Sequence, residues 1–159
     1  MPGAEDTYHW AIITGPKTEV EDGRGMRYHA KERPSGPGKM EWFFEEREVP
    51  LAATNMLLVR VMIGKVEKRD RLINILRSVP IRQNVQGWNC VWWVKEALEL
   101  LRADGKALGT SILEWKSVRD CAMAYCQAKK DKHRFDGKVK YDMTKAATFD
   151  LIEGKETIP

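Results

Sequence analysis

Strand-type and helix-type segments are segregated along this chain, and that segregation limits its fold more than any other feature. Up to Gly64 the apolar residues fall in short runs rich in β-branched and aromatic side chains, broken by Gly, Pro and Asp. From Lys68 onward they recur at helical spacing. Strict alternation of strand and helix would predict a parallel sheet. Strands first and helices later predict an α+β domain, an antiparallel sheet packed against about three helices. With 159 residues, 43% of them hydrophobic, the chain can bury one core. A single domain over residues 1–159 is expected, with its core at about 7–152.

The strands are placed as follows. Tyr8 to Thr14 is apolar on both faces and predicts an inner strand. Glu19 to Gly25 predicts a hairpin loop, with Met26 to Ala30 as the return strand. Arg33 to Gly38 predicts a mobile loop. Met40 to Arg47 suits a sheet edge, and Asn55 to Ile63 a further strand stopped by Gly64.

In the helical half, Leu72, Ile75, Leu76 and Val79 form one stripe of a helix over Lys68 to Val79 that Pro80 ends. A second helix opens at Asn89-Cys90, carries Val91, Val94, Leu98 and Leu101 on one face, and closes at Asp104-Gly105. Ser111 and Glu114 have the spacing of a capping box for a third helix reaching about Lys130. Its inner face would carry Ile112, Trp115, Val118, Ala122 and Tyr125. Phe149 to Ile152 predicts a short last strand.

Several classes are excluded by pattern. No apolar run approaches a membrane span, and Met1 to Asp6 lacks the pattern of a signal peptide, so a cytoplasmic protein is expected. Cys90, Cys121 and Cys126 have no metal-type or disulfide spacing, and no phosphate-loop or dinucleotide fingerprint occurs. No cofactor and no metal is therefore expected. The net charge of +4 is concentrated late, around Lys129, Lys130, Lys132 and Arg134. That cluster is either a solvated surface or a contact for a polyanion such as tRNA.

Cys90 is the chemically suggestive residue. Gly87 and Asn89 are turn and cap residues, so Cys90 falls in the first turn of a helix, where unpaired N–H groups and the helix dipole favour a thiolate. A nucleophilic cysteine needs a base, and the chain has three histidines. His133 sits among surface charges. His9 begins the first strand and shares a face with Ala11 and Ile13. If that face packs on the Cys90 helix, the imidazole reaches the sulfur. A hairpin would place His29 beside His9. Gln86, Trp88 and Asn89 are candidates for oxyanion or substrate contact. Of Trp92 and Trp93, one must point away from the helix's inner face.

His9-Trp10-Ala11-Ile12 running to Gly15, then Tyr28-His29, then Asn89-Cys90 at a helix start, resembles the circularly permuted papain-like proteins. The pattern is most similar to the lecithin:retinol acyltransferase-like enzymes. The match covers residues 8–30 and 86–102. The resemblance implies a permuted papain-like fold, Cys90 as nucleophile, His9 as general base and His29 as the residue that orients it. The whole chain also resembles a group of small uncharacterised fungal proteins.

The reaction so implied is acyl transfer through a thioester on a small-molecule or peptide substrate, by a hydrolase or an acyltransferase, with the Cys90 pKa drawn below its ordinary value. Two other readings stand beside it. One is a transferase that forms peptide bonds from aminoacyl-tRNA, as cyclodipeptide synthases do, with the basic cluster gripping phosphates. The other is a non-catalytic binding module on a degenerate papain-like fold.

Overall fold

The structure is a computed structural model that describes residues 4–18, 20, 22–54 and 57–159. Glu19, Glu21 and Asn55, which fall in the predicted hairpin loop and fourth strand, lie outside the described residues. A 3-10 turn over Ala4–Thr7 opens the fold. Strands β1 (Ile12–Thr14), β2 (Arg24–Gly36) and β3 (Lys39–Pro50) form an antiparallel sheet in that order. Next come β4 (Val59–Met62), β5 (Gly64–Val66), α1 (Arg69–Ser78) and α2 (Cys90–Asp104). The chain continues through β6 (Leu108–Ser111), α3 (Trp115–Asp131), β7 (Ala147–Asp150) and β8 (Lys155–Ile158). β4 pairs parallel with β7, which pairs antiparallel with β8, while β5 pairs antiparallel with β6.

The α+β class stands, with three helices and small, mainly antiparallel sheets. Four local expectations are corrected. β1 is a sheet edge and β2 the central strand, because β1 has three residues and pairs only with β2. Arg33 to Gly36 is strand, because Pro37-Gly38 makes the reversal in two residues, with Gly38 at φ 67°. Ser111 pairs with Gly64 in β6 instead of capping α3, whose N-cap Glu114 makes no side-chain cap bond. The first strand is also shorter than Tyr8 to Thr14, since β1 begins at Ile12 and leaves His9 and Trp10 outside it.

α2 forms where the sequence places it. Asn89 is extended, and its Oδ1 accepts the Val91 and Trp92 N–H groups at 3.0 and 3.3 Å. Gly105 ends the helix in the left-handed conformation at φ 66°. Val91, Val94, Leu98 and Leu101 are all buried. Trp93 is fully buried and stacks on Phe44 with ring centroids 5.8 Å apart, joining α2 to β3. Trp92 points outward. Tyr28 and Ala30 of β2 belong to the same core cluster as Trp93, Val94 and Leu98, and Trp10 and Ile12 pack against it. By strand alternation Arg27, His29 and Lys31 take the opposite face. No helix among the described residues is long and apolar enough to cross a membrane.

Candidate active site

The site grows from the β2–β3 ladder. His29 lies directly across from Glu45 in register, and its Nε2 is 2.9 Å from Glu45 Oε1. The other ring nitrogen, Nδ1, lies 2.5 Å from His9 Nε2. A carboxylate only accepts hydrogen bonds, so His29 carries its proton on Nε2 and presents a lone pair at Nδ1. His9 must then donate from Nε2. That leaves its Nδ1 unprotonated, the state a general base needs. Glu45 thus dictates, through His29, which nitrogen of His9 can take a proton.

Electrostatics support neutral imidazoles. His29 is 2% exposed, and burial is the main reason its pKa lies below the ordinary 6.5, with the Glu45 hydrogen bond opposing. His9 is exposed on its outer side. Burial of its inner edge, then the His29, Arg27 and Lys31 charges, push its pKa down to about 4. The His29 hydrogen bond holds Glu45 below the usual carboxylate range, and Arg27 donates to the same oxygen at 3.3 Å.

Cys90 stands at the first position of α2, 7% exposed. The backbone N–H groups of Trp10, Val91 and Cys90 itself favour the thiolate. Burial outweighs them, and the thiol pKa is raised above its ordinary 9.0. This corrects the expectation of a depressed thiol: the helix terminus favours the thiolate, but a sulfur this deeply buried loses more in hydration.

The route from His9 to the sulfur also differs from expectation. Trp10 and Ile12, and not Ala11 and Ile13, pack against the helix core. The segment before β1 acts on the thiol through the Trp10 N–H, one residue beyond His9, which favours the thiolate. Among the described residues no hydrogen bond joins Cys90 to His9.

The remaining candidates separate clearly. Asn89 uses its Oδ1 on the helix cap and one Nδ2 hydrogen on Asp6 Oδ1 at 2.9 Å, which leaves its second amide hydrogen as a donor. Trp88 is buried edge-on against Trp42, and its indole N–H has no hydrogen-bond partner among the described residues. Gln86 is exposed and lines a shallow groove with Val85, Trp88 and Trp92.

Lys129 and Arg134 are each 3% exposed. Lys129 pairs with Glu156 at 2.5 Å, and Arg134 donates to the backbone of Asp142, Lys145 and Pro159. Both hold the C-terminal strand and are not available to a polyanion. Lys130 donates to the Tyr8 hydroxyl at 3.0 Å, and Lys132 is exposed. His133 pairs with Asp136 on the surface. Among the described residues no group of three His, Cys, Asp or Glu side chains is placed to hold a metal ion.

Glu45 is the site residue that sequence reasoning missed. Counting outward from the Pro37-Gly38 turn brings His29 to within one residue of Glu45, and the irregularity between Pro34 and Gly36, which no local pattern marks, sets the final register.

The fold and site define an α+β protein with a partly buried histidine–histidine–carboxylate chain and a cysteine at the start of its second helix. Residues 1–158 match the model described as Family of unknown function (DUF6914), and the chain belongs to that family. No curated protein and no solved structure matches it.

Proposed function

We propose that this chain catalyses acyl transfer through a thioester on Cys90, with His9 as general base, His29 orienting His9 and Glu45 orienting His29. The observation that carries the reading is the continuous chain from Glu45 through His29 to His9, with contacts of 2.9 and 2.5 Å. It leaves a proton-accepting Nδ1 on the residue next to Trp10, whose backbone N–H favours the Cys90 thiolate. The order of the site, base just before the first strand and nucleophile at the start of a later helix, fits a permuted papain-like arrangement. Free thiols fit a reducing compartment such as the cytosol.

Thiol and imidazole are both neutral at rest, so the proton moves as the bond forms. His9 turns its Nδ1 edge to the sulfur and takes the Cys90 proton while sulfur attacks the substrate carbonyl. The Cys90 and Trp10 N–H groups, which favour negative charge on the sulfur, serve as the oxyanion donors. Collapse breaks the bond to the leaving group, which takes the proton from His9, and leaves a thioester. Water, an amine or an alcohol then gives its proton to His9, attacks the thioester and restores the thiol.

The test is acyl trapping. Incubation with p-nitrophenyl acetate near neutral pH, followed by peptide mass analysis, is expected to place an acetyl group on Cys90 in the unmodified chain. The same treatment of His9→Ala should leave Cys90 free. Acetylation confined to Cys121, Cys126 or lysines would overturn the reading.

A further inference from the structure

We propose that Asp6 sets the specificity of this site, favouring acyl substrates that carry an ammonium group beside the reacting carbonyl. The inference rests on Cys90 being the nucleophile. Asp6 belongs to the 3-10 turn before β1, and its Oδ1 accepts from Asn89 Nδ2 at 2.9 Å. Asn89 immediately precedes Cys90, and its other end is committed to capping α2. The bond therefore fixes the carboxylate at the mouth of the helix.

The turn is also held from behind. Arg119 of α3 donates to the Glu5 carboxylate at 2.8 Å in a partly buried pair, and the Trp10 indole donates to the Glu5 carbonyl at 3.0 Å. Trp10 in turn packs on Trp115 of α3 with ring centroids 5.3 Å apart. Asp6 and the Trp10 backbone that favours the Cys90 thiolate thus belong to one braced segment.

Asp6 is exposed and forms no ion pair among the described residues. Its charge reaches the sulfur, adding to burial in holding the thiol protonated. The neighbouring cations are differently engaged. Arg27 donates to the Glu45 carboxylate, Arg119 is paired with Glu5 and Asp120, and Lys130 donates to the Tyr8 hydroxyl, while the Lys31 charge acts on the His9 side of the site. The first turn of α2 carries no acidic residue, and Cys90 to Val94 are uncharged. An approaching reactant therefore meets an unpaired carboxylate beside the thiol. An ammonium group is attracted there and offsets the charge that opposes thiolate formation; a carboxylate or phosphate is repelled. The substrate class that fits is an α-amino acyl ester or amide with its amine free.

The experiment compares two methanethiosulfonate reagents that differ only in ending in trimethylammonium or sulfonate. The Cys90 sulfur attacks the sulfenyl sulfur, methanesulfinate leaves, a mixed disulfide forms and the thiol proton passes to His9. Rates at Cys90 are referred to Cys121 of the same chain, which cancels the effect of net charge. At low ionic strength the cationic reagent should be favoured at Cys90 by roughly three- to tenfold, and high salt should remove the preference. Asp6→Asn, which keeps an oxygen for Asn89, should bring the ratio to near unity. No charge preference at a reactive Cys90, or a preference that Asp6→Asn leaves intact, overturns the role of Asp6 alone. A Cys90 modified no faster than Cys121 by either reagent overturns the nucleophile and the specificity together.

Discussion

His29 faces Glu45 across the β2–β3 ladder and holds its Nε2 2.9 Å from that carboxylate, so its remaining nitrogen accepts a hydrogen bond from His9. Glu45→Ala would remove the acceptor and free His29 to adopt the other tautomer. His9 would then lose its enforced orientation. Acyl transfer by this variant is expected to fall by roughly 10²-fold or more, measured as the single-turnover acylation rate of Cys90. Unchanged rates in a folded Glu45→Ala chain would remove Glu45 from the site.

The low pKa of His9 has two consequences of definite sign. Because the base must be neutral, Cys90 acylation should persist as pH falls below the ordinary histidine value of 6.5 and drop only near about 4. Stability follows the same group. Unfolded His9 binds a proton below 6.5, whereas folded His9 resists protonation until about 4. The unfolded state therefore holds more protons in that window. The His9 contribution to stability is complete above 6.5 and is lost as pH falls toward 4. Urea midpoints measured across this range should show a decline that is smaller in His9→Ala.

The two adjacent tryptophans of α2 should behave oppositely. Trp93 is fully buried against Phe44, so Trp93→Ala is expected to cost about 3–5 kcal/mol. Trp92 is 53% exposed, with Lys95 over its ring, so Trp92→Ser should shift stability by no more than about 0.5 kcal/mol. Equilibrium denaturation of both variants decides the matter.

Local chemistry made much of this architecture legible. Asn89, the apolar stripe from Val91 to Leu101 and Gly105 define α2 completely, because cap, periodicity and terminator all lie within one segment. The pairing of β1 with β2 was legible for the same reason. Features set by long-range geometry were not. The partner of His29 depends on where the β2–β3 hairpin turns, and treating Arg33 to Gly38 as a loop erased the register that brings Glu45 to it. The parallel pairing of β4 with β7 joins Val59 to Ala147, beyond the reach of any local pattern. Burial decided the rest. Lys129 and Arg134 look like surface charge in sequence, yet both are buried, with partners on β8 and at the chain end. Cys90 has the helix terminus that lowers a thiol pKa and the burial that raises it, and only the fold shows which dominates.

The central claim is that His9 activates Cys90, and the labelling rate of Cys90 by iodoacetamide measures this most directly. At about pH 6 an unassisted thiol is almost wholly protonated and slow to react. With His9 as base, Cys90 should be alkylated faster than Cys121 and Cys126 of the same chain, and His9→Ala should abolish the excess while leaving the other two unchanged. Equal rates at all three cysteines, or an excess at Cys90 that survives His9→Ala, would contradict the account.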